Sequence, residues 1–203
     1  MADEVNATVP SEATRKTVVD RYFSRGYMTD VNGRCGEDQC VLLHSNKICV
    51  VTVSPEHPLV KEKCAITSIN FQISSKINRL DNHVSGKSKK GAQWMMPDDA
   101  LCEVTCSNGT TYTLNSCIKG KLVEINQELL KTPELIKLKP ETDGFIAVVL
   151  PKLTEVNEYF DKLLSPESYR LLLDKRKLSE QGVTPEGHAN EQNEIEAKRI
   201  KLT

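Results

Sequence analysis

The sequence predicts a mainly β domain with short helices on its C-terminal side. Three observations lead there. Short Val- and Ile-rich runs between residues 41 and 85 are broken by Pro55, Pro58 and polar pairs, as strands are. Asn108-Gly109 sits between two alternating runs, a hairpin signal because such a turn needs positive φ at its centre. Helix-starting signals after the N-terminal stretch come only from Asn126 onward.

The elements follow in order. Residues 1–17 are polar and without periodicity; they bury too little apolar surface to offset their ordering entropy and are expected to form a disordered arm. The ordered body is expected over 18–178. Its first stretch, VVDRYFSRGY, interleaves Tyr22, Phe23 and Tyr27 with Arg21 and Arg25. It reads as an amphipathic segment strapped across the sheet to complete the core, or as a linear partner motif. VLLH, KICVVTVS and AITSINFQIS supply strands, LCEVTC and TTYTL the hairpin arms, and 121–125 and 145–150 two more strands. Asn126 caps a short helix, NQELLK, that Pro133 stops. Ser165-Pro166-Glu167 starts a longer one whose Tyr169, Leu172 and Leu173 form one stripe for docking on the sheet. The stretch 153–164 reads as helical too. Residues 179–203 read as a disordered tail whose Lys198, Arg199 and Lys201 resemble a short nuclear import signal.

At 203 residues, with 27 Lys+Arg against 28 Asp+Glu and 38% hydrophobic residues, the chain can bury an ordinary core. A formal charge of -1 gives no global field for nucleic acid or an anionic membrane, so such contacts must be local. The longest apolar stretch, 145–150, falls far short of the roughly 20 residues of a spanning helix. Seven cysteines, an odd number, without an apolar signal core predict reduced thiols in an intracellular protein.

No catalytic constellation emerges. Histidines at 44, 57, 83 and 188 give no local signature of a base beside a nucleophile, and Asp98-Asp99 after Pro97 reads as turn chemistry. Cys35, Cys40, His44 and Cys49 have the residue types for zinc but not the usual paired spacing. Gly86-Lys87-Ser88 lacks the earlier glycine of a phosphate loop, Asp81 standing there. The window 76–93 holds Lys76, Arg79, Lys87, Lys89 and Lys90 against Asp81 alone. This local excess suits an acidic partner or RNA, and equally suits lysines that guard a sheet edge. Trp94 with Met95 and Met96 reads either as core filling or as a plastic contact surface.

An echo of Val84-Ser85-Gly86-Lys87 in 117–121, around the Asn-Gly turn, suggests quasi-symmetric hairpins of the kind that build lipoyl and biotinyl carrier modules. From Ser116 onward, SCIKGKLVEINQELLKTPELIKLKPETDGFIAVVLP and LLSPESY resemble the glycine cleavage H-protein family. Gly120, Val123, Glu124, Asn126, Leu130, Pro133, Glu134, Leu135, Gly144, Phe145, Pro151, Leu163, Leu164, Ser165 and Tyr169 fall in register with it. The resemblance implies a barrel-sandwich hybrid of the lipoyl/H-protein type. It places the lipoyl-lysine position on Gly109 and the customary preceding glutamate on Cys106, and no lysine lies between Met95 and Ile118. No cofactor is therefore expected.

Over roughly 18–178 the chain more closely resembles the Abitram (Simiate) family, through VDRYFSRGYMTDVNGRCGEDQCVLLHSNKICVVTVSPEHP, INFQIS, HVSGKSKKGAQ and TDGFIAVVLPK. That resemblance implies actin, as monomer or filament, for a partner, an influence on filament assembly in filopodia, and modulation of transcription from nuclear speckles together with speckle or transcription proteins. It also implies residence in both nucleus and cytoplasm. Lys87, Lys89 and Lys90 are the candidate partner-binding residues. The expected protein is not an enzyme and has no membrane partner; a nuclear RNA- or protein-binding adaptor and a lipoyl carrier are the alternatives.

Overall fold

A computed structural model describes residues 16–180, which divide into two compact units meeting at Ser165 and Pro166. In the first unit Thr17 caps α1 (Val18–Tyr22), its hydroxyl accepting from Asp20 N while the Asp20 carboxylate accepts from Thr17 N, a reciprocal box that satisfies two orphan donors. The chain continues directly into β1 (Phe23–Met28), β2 (Gln39–His44) and β3 (Cys49–Val53), then α2 (Pro58–Lys61) and β4 (Ile66–Asn70). After a long loop come β5 (Trp94–Met95), β6 (Ala100–Cys106), β7 (Thr111–Asn115), β8 (Gly120–Ile125), α3 (Leu135–Leu138), β9 (Ala147–Leu150) and α4 (Val156–Phe160).

Pairing is antiparallel throughout. One sheet runs β1-β2-β3-β9-β8-β5, the other β4-β6-β7. Val41, Val51, Leu122 and Val149 of the first and Ile69, Val104 and Leu114 of the second join one buried cluster, so two sheets share a single core, as a barrel-sandwich hybrid requires. Gln39, fully buried on β2, clips the sheets together: its amide donates to Asn115 O (2.9 Å) and accepts from Asn115 N (2.8 Å) on β7.

Two glycines explain the close packing. A Cβ on Gly120 would lie 2.7 Å from Leu150 O and from Val149 Cγ1, and one on Gly144 would lie within 2.8 Å of Lys139 O and closer still to Leu135 O. Only glycine lets β8 approach β9, and the 144 turn approach α3, this closely.

Three local expectations are corrected and one is borne out. The N-terminal stretch joins the sheet as a strand instead of crossing it as a strap: Tyr22 ends α1, Phe23 and Tyr27 lie on β1, the edge strand paired with β2, and Val19 and Tyr27 are buried, as a segment completing the core would be. Tyr22 is half exposed, and Gly26 lets Leu163 and Phe160 pack on the backbone. In the β6–β7 hairpin only Gly109 of the Asn-Gly pair has positive φ (+82°); Gly109 N donates to Cys106 O and Cys106 N to Thr110 O, each 2.9 Å. The turn therefore has the positive φ at its centre that the Asn-Gly pair predicts, and closes with a glycine bulge. The echoed segments are not equivalent, since Gly86 turns (φ +65°) while Gly120 opens the extended β8. Finally, NQELLK makes only a 3-10 turn over Gln127–Leu130, capped by Asn126, and 153–164 is helical only at α4. Asn126 also donates to Asp143 O and Phe145 O, both at 2.8 Å.

The second unit contributes helix α5 (Pro166–Glu180), with proline at its first position. Its least exposed positions, Tyr169, Leu172, Leu173 and Arg176, recur at the spacing of one helical stripe. Most of the N-terminal arm and the tail, with the candidate import residues Lys198, Arg199 and Lys201, lie outside the described residues.

Candidate functional site

The hairpin tip is where a carrier protein of this architecture would hold its prosthetic arm. Gly109 stands at the tip, and a Cβ there would meet nothing within 4 Å. The base of the tip is braced by Ser107 N donating to Ala65 O (2.8 Å). Cys106 is buried, its thiol pushed up to about 12 chiefly by that burial, with the neighbouring Cys64 adding to the shift. A buried protonated thiol is a poor nucleophile.

The basic segment forms a tight turn between Asn82 and Gln93. Ser85 and Lys90 exchange backbone hydrogen bonds, both 2.9 Å, and Gly86, Lys89 and Gly91 take positive φ to close the loop between and beyond them. Lys87 and Lys90 are exposed and Lys89 is half-buried. None of these, nor Lys76, pairs with a carboxylate among the described residues. Lys121 on β8 donates to Ser88 O (2.7 Å), adding a fourth amine to the turn. The turn leads straight into β5, the last strand of its sheet, so the three lysines 87, 89 and 90 sit where a guard on a sheet edge would also sit.

Arg79 leaves this group. It is 6% exposed, its Nε donating to Ala100 O (2.9 Å) and its Nη1 to Gln93 Oε1 (2.8 Å). Burial pulls its pKa down, partly opposed by Asp99. Its charge works inward, holding the base of the turn. The same base is tied by Gln93 to Asn78 O and Asn82 Oδ1, and by Asn82 to Leu122 O, at 2.8–2.9 Å.

Trp94, Met95 and Met96 divide between both of their readings. Met95 is fully buried in the core, whereas Trp94 and Met96 are exposed. Trp94 opposes Lys121 in the β5–β8 register, and Lys152 Nζ lies 5.7 Å from its ring centroid. Ile77, Asn78, Gln93 and Trp94, with Lys76 and Asp81, line an open groove of about 420 Å³. Ile77, Lys121 and Lys152 escaped sequence reasoning because they come from separate segments; the local signal was only an aromatic beside the basic turn.

The remaining candidates are dispersed. In the β2–β3 register Cys40 opposes Thr52 and Cys49 opposes Leu43, which puts the two cysteines on opposite faces of the sheet. Burial pushes each thiol up to about 12. His44 packs edge-on to Phe23 (4.7 Å between centroids) and Cys35 is exposed. His57 is buried as the N-cap of α2. Its Nδ1 accepts from Leu59 N (3.0 Å), and its ring packs edge-on to Tyr112 at 5.3 Å. Asp99 makes a turn bond, accepting from Met96 N at 2.7 Å.

The model of the glycine cleavage H-protein family matches residues 77–176. Protein Abitram of Xenopus tropicalis is 46% identical over 176 residues, covering 87% of this chain and 94% of that protein. The Gallus gallus protein of that name is 50% identical over 162 residues (80% and 94%), and the Homo sapiens one 44% over 176 residues (87% and 96%). Among solved structures, a glycine cleavage system H protein from Mycobacterium marinum superposes with a TM-score of 0.48 at 14% identity, covering 72% of this chain and 93% of that one. The two-sheet core, with the family match, is the barrel-sandwich hybrid of the lipoyl/H-protein type.

Proposed function

Since the chain belongs to the Abitram family, we propose that it is an actin-binding protein that influences filament assembly in cell projections and modulates transcription in the nucleus. It works in both nucleus and cytoplasm, by binding and without catalysis. A single observation carries the reading: the carrier position at the hairpin tip is Gly109, and no lysine lies from Met96 through Cys117. Lipoylation needs an amine to form its amide, so a carrier scaffold lacking one retains only its surfaces to work with. The uncompensated lysines 87, 89 and 90 support an acidic macromolecular partner.

Co-sedimentation with actin filaments tests this, with the wild type and a Lys87→Glu, Lys89→Glu, Lys90→Glu variant run side by side. Wild-type pelleting that the triple variant loses is expected. No pelleting by either chain, together with no effect on monomer polymerisation, overturns the actin reading. A nuclear RNA-binding adaptor is the second reading, favoured by exposed Trp94 among lysines. It predicts a salt-steep mobility shift with RNA and no pelleting. Intact mass of the chain from its native cell separates both from a lipoyl carrier, which would show added mass on one lysine.

A further inference from the structure

The sheet edge beside the basic turn joins apolar exposure to unneutralised charge. Trp94 is 39% and Ile77 42% exposed, though both border the groove, and Met96 next to them is 47% exposed. Lys76 lines the groove, and Lys121, opposite Trp94 across β5 and β8, reaches Ser88 O of the turn that carries Lys87, Lys89 and Lys90; none of these five lysines is held by a carboxylate of the described residues. Exposed aromatics and aliphatics rimmed by charge are what interface anchors contact.

We propose that this groove docks an acidic polypeptide segment carrying one large apolar side chain. The apolar side chain seats between Ile77 and Trp94, and flanking carboxylates pair with Lys76 and the lysines of the turn. This rests on the actin-binding reading and deepens it, by assigning the chemistry of the partner segment. Charge complementarity selects an acidic occupant. Protein is favoured over single-stranded nucleic acid because Trp94 is the one aromatic among the described residues that line the groove, whereas strand binders stack successive bases on several aromatics. Asp81 on the groove wall, and Glu155 bonded to Lys152 (2.9 Å) beside the Trp94 ring, repel any anion at those points, so the partner's carboxylates must lie toward Lys76 and the turn.

Trp94 is the only tryptophan of the chain, so its fluorescence reads the groove directly. The full chain is titrated with a synthetic Glu-rich peptide containing one central leucine, the same peptide with serine there, and oligouridylate. A saturable change in emission with the leucine peptide is expected. That affinity should fall about tenfold with the serine peptide, by a similar factor when salt rises from about 50 to about 300 mM, and about tenfold in Ile77→Ser. It should be lost in the Lys87→Glu, Lys89→Glu, Lys90→Glu variant, with circular dichroism confirming that both variants fold. No saturable response, equal affinity for the leucine and serine peptides, or tighter binding of oligouridylate overturns the groove. Actin co-sedimentation of the same variants separates the two proposals. Pelleting that both variants retain removes the groove and keeps actin binding, while peptide binding without pelleting keeps the groove and removes actin.

Discussion

Acidification should destabilise this domain in part through His57. Its ring is 1% exposed and burial pulls its pKa from 6.5 to about 4, with Asp38 pushing weakly the other way. Between those two values the unfolded chain binds a proton that the folded chain refuses. The contribution of neutral His57 is therefore complete above about pH 6.5, shrinks as pH falls, and stops shrinking below about 4. At pH 5 the two-pKa linkage gives a loss of about 2 kcal/mol. The assay is urea unfolding followed by circular dichroism near pH 7.5 and near pH 5, for the wild type and His57→Asn. Asparagine keeps an oxygen that can cap α2 but has no proton to gain. Other titrating groups, including Glu37, whose burial raises its carboxyl and gives the opposite slope, are common to both chains and cancel. The wild type should lose about 2 kcal/mol more than the variant between these pH values, or about 1 M in urea midpoint. Identical acid responses would refute the reasoning.

Gln39→Leu should cost about 2–4 kcal/mol, because it strands the buried N–H of Asn115 on the facing sheet and leaves its C=O only the weak Cys117 thiol donor; denaturant midpoints measure it, and a loss below about half a kilocalorie would show the clip to be idle. Gly120→Ala brings a methyl against Leu150 O and should destabilise by about 1–3 kcal/mol in the same assay. Gly109→Lys, at an open tip with φ +82°, should fold with a loss of only about 1–2 kcal/mol, read as a small drop in Tm. In native protein a thiol reagent should label Cys35 rapidly and Cys40, Cys49, Cys102 and Cys117 only on unfolding; fast labelling of any buried one would contradict the core. As pH rises above about 9 the unfolded thiols ionise before the folded ones do, so stability should decline in that direction.

What the sequence made legible was local. Asn108-Gly109 announces its hairpin because the turn chemistry lies within a few residues, and Gly120 and Gly144 stand out because a close backbone approach tolerates no other residue. Gly26 carried a comparable signal in the N-terminal stretch, but β1 departs from the apolar–polar alternation that identifies a half-buried strand. Arg79 looked like one more solvated charge, since its acceptors Ala100 O and Gln93 Oε1 come from other segments. His57 showed no role in the sequence because only the fold brings Tyr112 to its ring. The groove was invisible for the same reason: Ile77 and Trp94 are joined by a loop whose path tertiary bonds determine, and Lys152 arrives from the far end of the chain.

The inward-facing guanidinium of Arg79 has a consequence for association. By clamping Gln93 and the Ala100 carbonyl, it fixes both feet of the lysine-bearing loop before any partner arrives. A partner then meets ammonium groups on an already ordered backbone and loses little configurational freedom in engaging them, so complexes can be tight without being extensive. Cutting that strut, as in Arg79→Met, would leave every lysine in place yet slacken the loop that carries them.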